Sequence, residues 1–306
     1  MCKSVTSSSA VLLERLEPPA AKVAMVLDTD TYNEIDDQFA VAYAMLSPAS
    51  MGVEAIYAAP FHNNRSSGPG DGMQKSYEEI VRVLDRLGHE AKGLAHKGSG
   101  SFMASAETPV DSPAVQDLIQ RAMADRDGPL YVVAIGAPTN VASAILTEPR
   151  IVERIVVVWL GGHPHTWHDV QEFNFRQDLH ATRVLFDSGV PLVQIPCCLV
   201  AEQLRTTLAE LEVCVQGTSA IGDYLFGIFR DYHDDHFAWS KVLWDIAAIG
   251  WLVNAGWFST ELVSSPIVTD QCTYSRDGRR HLMRVATHVN RDGVFGDLFA
   301  KIRSTA

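Results

Sequence analysis

Five short apolar runs, each followed by a longer amphipathic segment, constrain the fold of this chain more than any other feature. The apolar runs span residues 23–27, 53–59, 130–135, 155–160 and 191–195. The amphipathic segments span residues 37–46, 74–87, 113–124, 139–146, 179–188 and 241–254. Short, continuously apolar strands that alternate with helices are typical of a parallel sheet covered on both faces. The pattern predicts an α/β fold with an open, doubly wound, mainly parallel sheet flanked by helices.

Composition narrows the classes of function. The chain has 306 residues, of which 47% are apolar and 20% charged, and its formal net charge is −12. An acidic chain lacks the basic face that binding to nucleic acid requires. No apolar run is long enough to cross a bilayer, so we expect a soluble protein that does not bind membranes. Residues 1–22 are expected to form a flexible N-terminal arm, and residues 23–306 a single catalytic domain.

The cysteines indicate the compartment. They are odd in number, form no CxxC pair, and favour a reducing, cytoplasmic location over a disulfide framework. Their positions are Cys2, Cys197, Cys198, Cys214 and Cys272.

The stretch VLDTDTYNEIDDQF places four aspartates between two apolar segments. Asp28 and Asp30 end the first predicted strand, and Asp36 and Asp37 begin the next helix. A turn at Asp28, an N-cap at Asp36 and the helix dipole at Asp37 would explain them singly. Together they would repel one another unless they are protonated or neutralised. A hard divalent cation with oxygen ligands, such as Ca²⁺ or Mg²⁺, would neutralise them.

A second chemistry fits part of the same stretch. The sequence DTDT after an apolar strand resembles the nucleophile motif of haloacid-dehalogenase-type phosphatases, in which the first aspartate, here Asp28, is phosphorylated. That family has no place for the second aspartate pair at Asp36 and Asp37. The choice between the two chemistries therefore depends on other parts of the chain.

Three downstream stretches lie at predicted strand–helix junctions. They read YVVAIGAPTNVASAIL, IVVVWLGGHPHTWHDVQEFNF and WSKVLWDIAAIGWLV. With the aspartate stretch, they resemble the nucleoside hydrolase family of the inosine–uridine type. That family carries D-T-D-x-G-x-D-D, T-G-x-x-T-N, G-G followed by E-F-N, and a late His-Asp or Trp-Asp pair. Order and spacing agree from about residue 23 to residue 253.

The resemblance implies a role for each matching residue. It implies a Ca²⁺ site formed by the side chains of Asp30, Asp37 and Asp245 and by the backbone carbonyl of Ile135. It also implies that Asp30 takes a proton from the attacking water. Ribose hydroxyls would be bound by Asp36, Glu172 and Asn174. Trp244 would stack on the departing base through its large face and would not protonate it, because an indole N–H is too weak an acid. The alternative is that Trp244 only packs in the core.

The chain departs from the family pattern at several loops. The first motif is two residues longer, so Tyr32, Asn33 and Glu34 are expected to line or cover the site. The Asp- and Gly-rich loop after the third family strand is replaced by KGSGSFMASAETPV.

At the sugar position after the second strand, His62 aligns without a gap, but we favour Asn63 as the ribose contact. Thr166 stands where the family has an asparagine.

The loop histidines and Lys241 can be explained without a metal or a catalytic role. His163, His165 and His168 are irregularly spaced, which favours loop or cavity-lining histidines over a zinc site. One of them could act as a general acid. Lys241 is expected one helical turn before Asp245 as an ion-pair partner rather than a catalyst.

These features predict a calcium-dependent nucleoside N-ribohydrolase that prefers purine nucleosides. Two alternatives stay open: a phosphohydrolase that uses Asp28, and a non-catalytic relative that binds ribose or nucleosides. The expected partner is a small-molecule nucleoside, and the sequence leaves open whether the chain forms a homo-oligomer.

Overall fold

A computed structural model of the protein describes residues 9–305. The first eight residues of the predicted arm, which include Cys2, lie outside this range. The strands are β1 (Val23–Thr29), β2 (Met51–Ala58), β3 (Ala95–Lys97), β4 (Leu130–Ala134), β5 (Ile155–Leu160), β6 (Leu192–Ile195), β7 (Arg205–Thr206), β8 (Lys241–Val242), β9 (Phe258–Ser264), β10 (Ile267–Val268), β11 (Tyr274–Ser275) and β12 (Leu282–Val289). The α-helices are α1 (Ser9–Leu16), α2 (Asp36–Met45), α3 (Pro69–Arg86), α4 (Pro113–Met123), α5 (Thr139–Thr147), α6 (Phe173–Gln177), α7 (Leu179–Asp187), α8 (Leu208–Cys214), α9 (Ala220–Arg230), α10 (Ile246–Val253) and α11 (Arg291–Arg303).

The central sheet has eight strands in the order β3-β2-β1-β4-β5-β6-β12-β9. Neighbouring strands run parallel from β3 to β12, and only the edge strand β9 is antiparallel to its neighbour. The mainly parallel α/β sheet predicted from the sequence is therefore confirmed. All five predicted strands lie in this sheet, with ends shifted by no more than two residues.

Side chains alternate between the two faces of the sheet, as strand geometry requires. In β1, Met25 and Leu27 belong to the core cluster shared with α2, α3, α9, α10 and α11. Val26, between them, belongs to the cluster shared with α4, α5 and α7. Two cores of this kind explain why the strands of this sheet are continuously apolar.

The register brings the carboxyl ends of four strands to the same edge. Asp28 of β1 pairs with Ala134 of β4, which pairs with Trp159 of β5. Trp159 in turn pairs with Gln194 of β6. Because these strands are parallel and in step, the residues that follow them meet at one edge, where ligands bind in open α/β sheets.

The segment predicted as a flexible arm is partly ordered. Ser9–Leu16 form α1, which contacts β12, and Leu16 is fully buried. The Arg284 guanidinium bonds to the Leu16 carbonyl, and its Nη2 lies 2.7 Å from Glu17 Oε1. The sequence did not predict this helix because its apolar run is short and Glu14 and Arg15 follow it directly. Among the described residues, no helix is long and apolar enough to span a membrane.

The helix α1 can be tested by stability. Leu16→Ala should lower the free energy of unfolding by about 2–5 kcal/mol, since it removes a fully buried side chain from a packed site. Chemical denaturation measures the difference. Leu13→Ala, on the 38% exposed side chain of the same helix, is the matched control and should cost little. Equal, small effects would mean that α1 does not pack in solution.

Candidate active site

An acidic cluster of four aspartates lies where β1 ends and where α2 and α10 begin. Asp30 follows β1, Asp36 and Asp37 begin α2, and Asp245 is the N-cap residue of α10. The carboxylate oxygens of Asp36, Asp37 and Asp245 lie within 4.8 Å of one another. Within residues 9–305, no other group of three or more potential metal ligands is this close. Asp30 lies near enough to interact electrostatically with Asp36 and Asp37, and the roles of the four aspartates stay predictions.

Burial and mutual repulsion dominate the electrostatics of the cluster. All four side chains are at most 4% exposed. Burial raises the pKa of Asp37 to about 7, with further repulsion from Asp36, although Thr29 Oγ1 donates a hydrogen bond to Asp37 Oδ1. Burial, with repulsion from the other aspartates, also raises the pKa values of Asp30 and Asp245. The cluster is therefore unfavourable as a set of bare anions.

The donor set fits a hard divalent cation. The ligand atoms are carboxylate oxygens, which Ca²⁺ and Mg²⁺ prefer. Asp30 Oδ2 is buried and has no hydrogen-bond partner among the described residues, so it has an unused bonding site. Ile135, the residue after β4, lines the same cavity and has one carbonyl lone pair left beside its bond from Asn174. These residues satisfy the requirements of an oxygen-only metal site.

The cluster opens into a cavity of about 340 Å³ at the carboxyl edge of the sheet. Its lining includes nearly every predicted site residue. Of the predicted set, Asp30, Asp36, Asn63, Ile135, Glu172, Asn174, Trp244 and Asp245 line the cavity, and Asp37 lies behind them in the acidic cluster. Sequence reasoning missed Leu160, Gln171 and Phe173 as lining residues, although each lies at or after the end of β5.

Asn174 joins two strand ends. Its Nδ2 donates to the carbonyl of Ile135 and to that of Leu160, both at 3.1 Å. The amide nitrogen is thus fully occupied, so only the amide oxygen can accept a bond from a ligand. This arrangement is compatible with the predicted contact to a sugar hydroxyl.

Glu172 is the N-cap residue of α6. Its carboxylate accepts backbone N–H groups of Gly162, Asn174 and Phe175 at 2.9–3.0 Å. The left-handed backbone of Gly162 (φ 70°) helps to turn its N–H toward this carboxylate. Glu172 therefore has a structural role that the sequence did not predict, and its ribose contact stays a prediction.

The long turn after β1 forms one wall of the cavity. Asn33 and Glu34 line the cavity, whereas Tyr32 lies outside it, under the Arg65 guanidinium at 4.2 Å. Asn63 Nδ2 bonds to Asn33 Oδ1 at 2.6 Å, so Asn63 anchors the turn. His62 is exposed and does not line the cavity, which agrees with the preference for Asn63.

The predicted helical position of Lys241 is wrong. Lys241 lies in the short strand β8, and the helix begins only at Ile246. The apolar residues after Trp244 suggested a longer helix, but β8 pairs with β7 instead. Lys241 does form ion pairs, but with other partners than the neighbouring Asp245: its Nζ lies 2.5 Å from Glu34 Oε2 and 3.8 Å from Asp36 Oδ1.

The aspartate of the phosphatase-like motif is not accessible. Asp28 lies within β1, is fully buried and does not line the cavity. Its Oδ1 accepts a bond from Asn140 Nδ2 at 2.7 Å, and burial raises its pKa to about 7. A phosphorylated nucleophile must reach its substrate, so this position argues against the phosphohydrolase alternative. The turn role considered for Asp28 is also wrong.

The three loop histidines occupy different surroundings. His163 lines the acidic cavity, and His168 is exposed beside Asp169. His165 bonds to Gln194 at 2.8 Å and, with Thr166, lines a separate cavity of about 780 Å³ near β9 and β12. The larger cavity contains none of the clustered aspartates. The three histidines therefore do not converge on one position.

The cysteines described by the structure are reduced. Cys197, Cys198, Cys214 and Cys272 are free. Cys197 and Cys198 follow β6, as expected for strand-end thiols, and both line the acidic cavity.

Comparisons with known proteins agree with this geometry. A family model described as inosine-uridine preferring nucleoside hydrolase matches residues 25–296. A pyrimidine-specific ribonucleoside hydrolase RihA of Salmonella arizonae is 25% identical over 264 residues, which cover 77% of this chain and 81% of that protein.

Two solved structures share the fold. A purine-preferring ribonucleoside hydrolase from Gardnerella vaginalis has a TM-score of 0.74 at 22% identity, with 92% of this chain and 98% of that chain covered. An inosine-uridine preferring nucleoside hydrolase from Bacillus anthracis has a TM-score of 0.70 at 16% identity, with 92% and 99% covered. The family model spans most of the chain, and hydrolysis of the N-glycosyl bonds of nucleosides is the activity of this family. The chain therefore belongs to the inosine-uridine preferring nucleoside hydrolase family.

Proposed function

We propose that this hydrolase is a calcium-dependent N-ribohydrolase that prefers purine nucleosides and releases the free base and ribose. The observation that carries the proposal is the buried carboxylate cluster at one end of a cavity that also holds Asn174 and Trp244. A nucleoside offers the matching groups, since its hydroxyls can bond to carboxylates and its base can stack on an indole. Cytoplasmic location stays a prediction.

Calcium would be held by Asp30, Asp37, Asp245 and the carbonyl of Ile135. When bound, the cation would supply positive charge that offsets the carboxylates and polarises the water and the sugar hydroxyls. The raised pKa values of the aspartates support this assignment, because they mark a site that lacks a compensating charge. Oxygen ligands favour calcium over zinc.

The protein groups then supply the reaction chemistry. Cleavage of the N-glycosidic bond develops positive charge on the sugar, which neighbouring carboxylates stabilise. Asp30, with one unpartnered oxygen, accepts the proton of the attacking water. Asp36, Asn63, Glu172 and Asn174 hold the ribose and thereby fix the geometry of attack.

The calcium site can be tested by calorimetry on metal-free protein. The wild type should bind roughly one Ca²⁺ per chain, and Asp37→Asn should weaken binding by about tenfold or more, because one ligand charge is lost. Asp28→Asn is the matched control, since Asp28 is equally buried but lies outside the acidic cluster. Metal analysis that finds zinc bound through His163 or His165 would contradict the assignment.

Turnover should depend on Asp30. Asp30→Asn should lower kcat by about 10²–10⁴-fold, because the group that accepts the water proton is lost. Asn174→Ala should in addition raise KM for the nucleoside. Release of reducing sugar from a panel of nucleosides, with and without chelator, measures both. Nucleoside binding without any turnover would support the non-catalytic alternative instead.

Base preference should depend on Trp244. The indole lines the cavity, and its backbone N–H donates to Asp36 Oδ2 at 3.0 Å, which ties it to the acidic cluster. Stacking contributes about 1–3 kcal/mol per base, and purines present the larger face. The relatives named above include both pyrimidine-specific and purine-preferring enzymes.

We therefore expect a higher kcat/KM for inosine than for uridine, and Trp244→Ala should reduce this ratio. The control is Trp239→Ala, because Trp239 packs on Phe229 and His233 and does not line the cavity. Equal cleavage of both nucleosides, unchanged by Trp244→Ala, would leave Trp244 with a packing role only.

A further inference from the structure

The acidic cavity extends along the sheet edge across four neighbouring strands. Asp30 follows β1, Ile135 follows β4, Leu160 ends β5 and Cys197 follows β6. Neighbouring strands are about 4.8 Å apart, so the two ends of the cavity are separated by roughly 14 Å. A ribose bound at the aspartates leaves the β5–β6 end for the base.

The departing base needs a proton. When the bond between C1′ and the base nitrogen breaks, its electron pair goes to the base, which would otherwise leave as an anion. A side chain that donates a proton in the transition state typically contributes about 10²–10⁴-fold to the rate. Such a donor must line the β5–β6 end of the cavity.

Most other side chains that line the cavity cannot donate a proton near neutral pH. Burial raises the pKa values of Cys197 and Cys198, so their thiols are poor acids. The indole of Trp244 and the amide of Gln171 are weaker still. Burial raises the pKa of Glu172, but its carboxylate accepts three backbone N–H bonds and caps α6, so it is held in a structural role.

His163 is different. It is half-buried, follows Gly162 at the end of β5, and lines the cavity. Its Nε2 lies 4.0 Å from Cys198 Sγ. Its Nδ1 is buried and has no hydrogen-bond partner within residues 9–305, so one ring nitrogen has an unused bonding capacity.

We propose that His163 is the general acid that protonates the departing base, an inference that rests on the proposed nucleoside hydrolysis. The imidazolium gives its proton to a ring nitrogen of the base as the C1′–N bond breaks. Water forms the new C1′–O bond and gives its proton to Asp30. Solvent then reprotonates His163 and takes the proton from Asp30, so the net reaction is nucleoside plus water to base plus ribose.

The test compares leaving groups that do and do not need a proton. His163→Gln should lower kcat for inosine by about 10²–10⁴-fold. Hydrolysis of p-nitrophenyl riboside should be nearly unchanged, because p-nitrophenolate leaves without protonation. His168→Gln is the matched control, since His168 lies in the same loop but is exposed beside Asp169. Melting temperature and Ca²⁺ affinity of His163→Gln should equal those of the wild type.

The pH profile gives a second readout. The charged groups near His163 are Asp169 and Glu202, which raise its pKa, and His168, which lowers it together with the larger effect of burial. The net pKa lies below the ordinary value of 6.5. Wild-type kcat/KM for inosine should therefore fall as pH rises through a value below 6.5, because the imidazolium is the donor. His163→Gln should lack this fall.

The outcomes separate the two proposals. Equal losses on both substrates, or no loss on inosine, would overturn the role of His163 while nucleoside hydrolysis stands. Wild-type cleavage of the aryl riboside but of no nucleoside would overturn both the role of His163 and the proposed nucleoside substrate. A wild type that cleaves neither substrate would overturn the proposed function itself, and the proton donor with it.

Discussion

Repulsion among four buried carboxylates is the constraint on which the rest of the site depends. Asp30, Asp36, Asp37 and Asp245 are shielded from water, so each raises the cost of ionising the others. The fold offsets this cost in part. Asp36 and Asp37 lie in the first turn of α2 and Asp245 at the N-terminus of α10, where the helix dipoles favour negative charge. The proposed cation would complete the compensation.

The parallel sheet explains why these groups can meet at all. Its register brings the ends of β1, β4, β5 and β6 to one level, so one residue from each strand end reaches the same cavity.

The packing around Gly136, at the base of the cavity, is tight. A Cβ on Gly136 would lie 3.1 Å from Asp30 Cγ, and Trp159 Nε1 bonds to the Gly136 carbonyl from beneath. Glycine at 136 therefore leaves Asp30 the space that its position needs.

The sequence predicted the central strands well because each is a continuous apolar run buried on both faces. It missed β3, β9 and β12 for reasons that differ. β3 has only three residues, and β9 is an edge strand with several exposed positions. β12 carries the buried Arg284, whose charge is satisfied by the Leu16 carbonyl at the end of α1 and by Glu17 after it, contacts that no local pattern reveals.

The sequence predicted those residues of the candidate site that belong to a motif at the end of a strand. Aspartates, Asn174 and Glu172 stand at motif positions and reach the cavity or its acidic cluster. The capping role of Glu172 and the strand position of Lys241 were not predictable, since both depend on partners distant in sequence. The isolation of His163 from His165 and His168 likewise depends on how one loop folds over two separate cavities.

The long turn after β1 and Lys241 are best understood together. The turn brings Glu34 to a cavity that already holds several carboxylates, which by itself would increase the repulsion. Lys241, only 8% exposed, binds Glu34 and approaches Asp36, and these two carboxylates hold its pKa above the ordinary value despite burial. Its charge therefore offsets the added glutamate and joins the turn to the segment that carries Trp244 and Asp245. Because a buried charge without its partner is strongly destabilising, Lys241 does not suit this position without Glu34 and Asp36.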